Sequence, residues 1–330
     1  MSNYNMIVSF INDLDFDIVG FTTIKDNTEY IKRVTSKYNQ GMLYPRNKMD
    51  YHDYVALDKL IDNPKTIISV GISYHQIQEM ECEKLFGKYS KISFGIDYHK
   101  IIYEKLKKIE AFLKDNYSEV QCYLSCDNKV VDDRYFAYLC GNGFYGKNTM
   151  IINQEFGSEV FYGTLITNID IDFEAKEILE SQCGSCSICE NNCPTKSLNN
   201  YSLNYKSCLS HLTQSKALIK PSIINNRIFG CDECNDCCPY NSKVKQSNAY
   251  QMENNCLELI DLIKMSNKEY NETFKEKGFY WLNKNILKKN AVLCLGNYLD
   301  EYQMEITQLA KQVKSPLLIE AFDYILKMEE

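Results

Sequence analysis

No apolar run in this chain is long enough to span a bilayer, although 45% of its 330 residues are hydrophobic. A soluble protein with room for two or three domains is therefore expected. Positive charge is not in excess. The formal net charge of -7 argues against broad nonspecific binding to nucleic acid and leaves only a local basic patch open. Arginine is scarce beside lysine, a bias without functional content. There are only four histidines, little support for a histidine-based metal centre; His52, His75 and His211 read as structural or exposed. No low-complexity tract and no linker rich in Gly, Pro or Ser divides the chain. Met1 to Ile11 has no basic stretch followed by an apolar core, so no signal peptide is expected and a cytoplasmic location follows.

Cysteine, by contrast, is abundant, with fifteen residues. One run reads Cys183-x2-Cys186-x2-Cys189-x3-Cys193-Pro194 and a second Cys231-x2-Cys234-x2-Cys237-Cys238-Pro239. Three cysteines at two-residue gaps followed by a Cys-Pro is the bacterial ferredoxin pattern for [4Fe–4S] clusters, in which the last cysteine can ligate the other cluster. Two runs imply two adjacent clusters and a path for single electrons. Zinc is the rival: Cys183 and Cys186 with Cys231 and Cys234 make a legal four-thiolate site. That reading leaves Cys189, Cys193 and Cys238 unexplained. The isolated Cys82, Cys122, Cys140, Cys256 and Cys294 read as small core residues.

Residues 1–60 are mostly helical in period, with a break at Asn39-Gln40-Gly41. Thr66 to Ile72 reads as a buried strand, Ile96 to Asn116 as an amphipathic helix, Val120 to Leu124 as a short strand and Asp133 to Cys140 as a helix. Met150-Ile151-Ile152 and Val160 to Thr167 read as the two strands of a hairpin around Gly157. The expected organisation is an α/β or α+β domain over 1–175, a two-cluster ferredoxin-like domain over 176–245 and a helical domain over 246–330. The middle segment should consist of loops and short helices organised by clusters rather than by an apolar core. Ile286 to Leu299 and Leu317 to Met328 read as helices of the last.

Two near-motifs fail. Gly141-x4-Gly146-Lys147-Asn148-Thr149 lacks the Ser or Thr that must follow the lysine of a P-loop, and a helix precedes it where a strand is needed. Its glycines serve a turn or the approach of backbone to another large ligand. Asp97-Tyr98-His99 begins like the cobalamin-ligating Asp-x-His-x-x-Gly, but Ile102 stands at the glycine; His99 is expected to bond at the start of its helix.

From about Tyr51 to Gly296 the chain resembles the epoxyqueuosine reductase family, the cobalamin and iron–sulfur enzymes of queuosine synthesis in tRNA. The stretches that carry the likeness are Gly95 to Lys100 (GIDYHK), Asp127 with Arg134, Gly141 to Thr149 (GNGFYGKNT), Cys183 to Thr195, Cys208 to Thr213 (CLSHLT), Gly230 to Asn241 (GCDECNDCCPYN) and Lys289 to Asn297. The resemblance implies a cobalamin-binding N-terminal domain, a two-[4Fe–4S] domain and a small HEAT-like helical domain. It also implies removal of the epoxide oxygen of epoxyqueuosine at the tRNA wobble position, with two electrons and two protons yielding queuosine and water. Asp127 matches the family's acid; read without the family it is a turn residue after a strand. Tyr145, Lys147, Asn148 and Thr149 are the expected contacts to base-off cobalamin.

One cluster would use Cys183, Cys186, Cys189 and Cys238, and the other Cys193, Cys208, Cys231 and Cys234. Spacing alone allows Cys237 in place of Cys208. The implied partners are the epoxyqueuosine tRNA and an external low-potential electron donor of flavodoxin or ferredoxin type, with no membrane and a monomeric chain. Lys243, Lys245, Lys284, Lys288 and Lys289 are candidate tRNA contacts. The chain departs from the family at Asn128-Lys129-Val130, where Thr-Gly-Pro is usual, and at His211, where Tyr is usual. A two-cluster electron carrier and a corrinoid reductase of a small molecule are the alternatives; the carrier leaves residues 1–175 unexplained.

Overall fold

The computed structural model describes residues 3–42, 56–75, 82–128, 130–251 and 256–327. Tyr51, His52 and Lys129 lie outside the described residues. The first part contains α1 (Asn3–Asn12), β1 (Ile18–Thr23), α2 (Thr28–Asn39), β2 (Thr66–Ser73), β3 (Phe86–Tyr89) and α3 (Tyr98–Asn116). It continues with β4 (Cys122–Ser125), α4 (Asp133–Leu139), β5 (Phe144–Tyr145), β6 (Ile151–Ile152) and β7 (Val160–Thr167). An antiparallel sheet of order β1-β2-β7-β4 forms the frame. Every residue of β2 and β7 is buried because helices cover both faces. Ile68, Val70, Ile72 and Leu165 pack on Ile102, Leu106 and Ile109 of α3. Their neighbours Ile67 and Ile166 point the other way, by the two-residue period of a strand, onto Phe136 of α4 and Tyr30 of α2.

Two expectations need correction here. Residues 1–60 are not wholly helical: Ile18–Thr23 is a six-residue strand, too short to declare a period. The Ile151–Ile152 and Val160–Thr167 strands form, yet not as one hairpin. β6 pairs with β5, and β7 pairs along its whole length with β2. An eight-residue strand buried on both sides needs a partner of its own length, which Ile151–Ile152 cannot offer.

The middle segment is built of short pieces: α5 (Ile188–Asn192), β8 (Leu198–Asn199), β9 (Ser202–Leu203), α6 (Leu209–Thr213), α7 (Pro221–Ile224), β10 (Arg227–Phe229) and α8 (Glu233–Asp236). Not all of it does without apolar packing. Leu209, Ile219, Ile224, Ile228 and Phe229 enter the same core as the C-terminal helices. Those elements are β11 (Cys256–Glu258), α9 (Leu259–Lys264), α10 (Asn267–Phe274), α11 (Lys284–Leu295), α12 (Leu299–Ala310) and α13 (Pro316–Leu326). β3 is the centre of a second sheet, with β10 parallel on one side and β11 antiparallel on the other. Strands from all three segments are thus interleaved.

α11 is buried on every side from Leu287 to Leu295, which overturns two of the candidate tRNA contacts. The Lys288 ammonium donates to the carbonyls of Ile263 and Met265, and that of Lys289 to Ser215 and Ala217. Both lysines tie loops to the central helix, and burial lowers the Lys289 pKa to about 8. Cys82 and Cys256 are not independent core residues either. They form a disulfide, because the pairing of β11 with β3 brings chain segments 174 residues apart together. Cys140 and Cys294 are buried thiols, as small core residues should be.

Candidate active site and metal centre

Cys183, Cys186, Cys189 and Cys238 line one cavity of about 270 Å³, together with Lys147, Asn148 and Tyr240. Four thiols converging on one cavity suit a cubane cluster, and two-residue gaps let a loop wrap its corners. The remaining thiols make a second group by mutual influence. Cys208 has Cys193 as a neighbouring thiol, Cys231 has Cys208 and Cys193, and Cys234 has Cys231 and Cys208 and, more weakly, Cys189 of the first group. Cys237 has Cys189 and Cys238 as its neighbouring thiols and lies on the first group's side. Burial pushes Cys189 up to about 11 and Cys231 to about 12. Without a metal these thiols stay protonated, so loading one would release protons.

The cysteine loops are anchored to the N-terminal part by specific groups. The Lys147 ammonium donates to the carbonyls of Gly184 and Cys186, at 2.8 Å each. The Asn148 amide donates to the carbonyl of Cys234 at 3.3 Å and to Asn235. Gly230 has a positive φ of 72°, and a Cβ there would meet the Ser90 Cβ at 2.4 Å; only glycine lets the second run approach so closely. The Ser90 hydroxyl donates to Asp232, and the Lys91 amide donates to it at 3.0 Å. The Lys91 ammonium bridges Glu159 and Asp236, and His75 bonds the other oxygen of Glu159.

Asp127 follows β4 at a left-handed φ of 48°. Its amide donates to the buried Asp133 carboxylate at 2.7 Å, which fixes the turn. Its side chain is about half exposed, accepts from the Tyr98 hydroxyl and lies 4.0 Å from His99 Nε2. His99 is held by Asp97, whose carboxylate caps α3 and meets Nδ1 at 2.6 Å. Burial works against the His99 charge, but Asp97 and Asp127 offset it and raise its pKa. Burial pushes Asp133 up to about 7, against the hydrogen bonds it accepts. Asp97 and Tyr98 stand in the sequence as a failed near-motif at the start of α3, and Asp133, the first residue of α4, carries no sequence signal of its own.

Across from Asp127, the Arg134 guanidinium reaches the Thr149 carbonyl at 3.4 Å, and Thr149 has a positive φ of 67°. Tyr145 is half-buried, with the Arg33 guanidinium 5.2 Å from its ring. Tyr98, Arg134 and Tyr145 keep contact with solvent, yet surrounding atoms desolvate all three. Partly exposed groups with crowded surroundings can meet a ligand from outside while neighbouring side chains hold them in place. The glycines of Gly141 to Thr149 open no such approach. A Cβ at Gly143 would meet the Ile152 carbonyl, and one at Gly146 the Ile152 side chain. They serve close packing of the chain on itself. Of the four expected cofactor contacts, Lys147 and Asn148 direct their side chains at the cysteine loops.

The family model described as Epoxyqueuosine reductase QueG, DUF1730, matches residues 54–128, and that of a 4Fe-4S double cluster binding domain matches residues 182–241. The chain is similar in structure to an epoxyqueuosine reductase with an epoxyqueuosine-modified tRNA stem loop, with a TM-score of 0.85, 27% identity and 98% of each chain covered. It is also similar to epoxyqueuosine reductase from Bacillus subtilis with an aspartate-bearing catalytic loop swung out of the active site. There the TM-score is 0.88 at 28% identity, over 98% of this chain and 89% of that one. In sequence it is 30% identical to the epoxyqueuosine reductase of Bacillus subtilis strain 168, over 94% of this chain and 84% of that protein. A likeness at 30% identity over 94% of the chain, with the same fold over 98% of it, places this chain in the epoxyqueuosine reductase family.

Proposed function

We propose that this protein reduces epoxyqueuosine to queuosine in tRNA, with Asp127 as the proton donor. The observation that carries the reading is the combination of a half-exposed aspartate on a turn fixed by Asp133 with four thiols that line one cavity, in a chain of the epoxyqueuosine reductase family. The cysteines Cys183, Cys186, Cys189 and Cys238, and Cys193, Cys208, Cys231 and Cys234, would hold two [4Fe–4S] clusters. Cobalamin, when bound, supplies a cobalt centre able to gather electrons that clusters pass one at a time. Tyr145 and Thr149 would meet its edge. Lys147 and Asn148 would set the distance between that edge and the cysteine loops by gripping the carbonyls of Gly184, Cys186 and Cys234.

The rest is the work of this chain's own side chains. Asp127 is exposed until a base covers it, and covering a carboxyl favours its protonated, donating form. Tyr98 orients the carboxyl through its hydroxyl, and the Asp133–amide bond holds the backbone so that the acid points out of the turn. His99, whose hold on a proton Asp97 strengthens, lies 4.0 Å from Asp127 and is placed to return a proton to it, which suits a reaction that consumes two. A tRNA substrate carries with it a cytoplasmic location and an external low-potential donor.

The test is conversion of an epoxyqueuosine-bearing anticodon stem-loop by anaerobically purified protein, followed by mass spectrometry of the nucleoside. Asp127→Asn should load iron and cobalt like wild type and lose at least about a hundredfold in turnover, the usual scale of general acid catalysis. Turnover by Asp127→Asn at the wild-type rate would remove Asp127 from the mechanism. Turnover of a small corrinoid substrate with none of the RNA would remove the tRNA.

A further inference from the structure

Single exposed apolar side chains are ordinary on a protein surface and require no account. A group of them beside a site does. Nine large apolar side chains are exposed among the described residues, and four of them, Ile96, Tyr103, Tyr280 and Trp281, lie on the start of α3 and on the loop bonded to it. Ile96 precedes Asp97, which caps the helix carrying Tyr98 and His99. Tyr103 lies one helical turn beyond His99 on the same face. The loop bearing Tyr280 and Trp281 is bonded to this helix start through its preceding residues. The Asp97 amide donates to the Glu276 carbonyl at 2.8 Å, and Lys100 pairs with the Glu276 carboxylate. The Asp97 carboxylate lies 3.6 Å from where a Cβ would stand on Gly278.

The residues around Trp281 are anchored. Lys277 is buried and its ammonium donates to the Phe94 carbonyl at 2.6 Å. Phe279 and Leu282, on either side of the aromatic pair, are buried at 1% and 5% exposure. The Leu282 amide returns to the Phe279 carbonyl at 2.9 Å, and the Tyr280 hydroxyl donates to Asn271. Trp281 is left 69% exposed on a fixed backbone. An indole held in water on an anchored loop forgoes burial that a core position would provide. Charges nearby are mixed, Lys100 and Lys275 beside Glu276 and Glu104, so this surface is not built to grip phosphates.

From this we infer that Trp281, supported by Tyr280, is a stacking platform for an unpaired nucleobase of the RNA loop that enters the Asp127 site. A flat aromatic face takes any base, at little sequence cost, and holds single-stranded RNA that has been splayed from its stack. The inference rests on the tRNA reading above and adds the surface that receives the loop. Because the base must be unpaired, a closed duplex should not use this surface.

Trp281 is the only tryptophan in the chain, so tryptophan emission reports this one position. An unmodified anticodon stem-loop RNA is titrated into the cluster-loaded protein, while the anisotropy of a dye on the RNA measures binding separately. Saturable quenching of emission is expected, with affinity about tenfold weaker for Trp281→Ala, largely restored in Trp281→Phe, and iron content unchanged in both. If the RNA binds but emission stays constant and Trp281→Ala binds equally well, the platform is refuted and the tRNA reading stands. If a fully paired duplex quenches as strongly as the stem-loop, recognition of an unpaired base is refuted. If wild type binds no RNA by anisotropy, the tRNA reading falls and the platform with it.

Discussion

Replacing Lys91 by Met keeps most of the side chain and removes only its charge. The ammonium sits 2.9 Å from Glu159 and 2.6 Å from Asp236, with side-chain exposures of 14%, 1% and 28% for the three residues. Burial alone would discharge this lysine; Glu159 and Asp236 outweigh it and hold its pKa above the ordinary value. Removing one partner of a buried ion pair costs about 3–5 kcal/mol, because the other charge is left unpaired. His75 remains bonded to Glu159 at 2.5 Å, so the carboxylate keeps one polar partner and the low end, about 3 kcal/mol, is expected. Unfolding entropy of about 2.1 cal/mol/K per residue over 330 residues gives roughly 0.7 kcal/mol/K. The midpoint of an anaerobic thermal melt should therefore fall by about 4 °C. A raised lysine pKa contributes stability at all pH below the ordinary lysine value and loses it only as pH rises through the raised one. The drop should thus be the same at pH 6 and pH 8 as far as Lys91 is concerned. The double variant Lys91→Met/Glu159→Gln, which removes the buried charge as well, should recover more than half. An unchanged midpoint in the single variant, or a double variant no better than the single, would refute the pairing argument.

Cys208→Ser should lose about half of the bound iron while Cys237→Ser stays near wild type, since Cys208 sits among Cys193, Cys231 and Cys234 and Cys237 does not; the opposite ranking would exchange their roles. Asp133 is fully buried with its pKa raised to about 7, so folding binds its proton more tightly. The stability this confers is complete below the ordinary carboxylate pKa and is lost as pH rises to about 7. Asp133→Asn lacks that dependence, so its stability relative to wild type should improve by roughly 3 kcal/mol between pH 5 and pH 8. Melts of both proteins across that range measure it, and a constant difference would mean that Asp133 is charged throughout.

Patterns of short range were legible before folding. The two-residue gaps of Cys183 to Cys189 are a property of one loop, and α3 shows its buried stripe at Ile102, Leu106 and Ile109 because a helix repeats within a few residues. The same locality failed wherever a partner lay far along the chain. Val160–Thr167 was visible as a strand, but its pairing with Thr66–Ser73 across the sheet was not. Lys288 and Lys289 looked like solvated charges because nothing in the sequence declares that α11 is surrounded. Cys82 and Cys256 looked unrelated until β11 met β3. Asp127 was found by resemblance and would otherwise have passed for a turn residue, which it also is.

The sequence alone therefore determined the cysteine runs of a double-cluster domain and the helix and strand periods, because residue type and short spacing are written directly into it. The tertiary structure alone decided which thiols share a cavity, which lysines reach water and that Trp281 is left exposed on a loop bonded to the start of α3. Those depend on packing between segments distant in the chain, where burial and the pairing of buried polar groups, rather than local period, choose the neighbours.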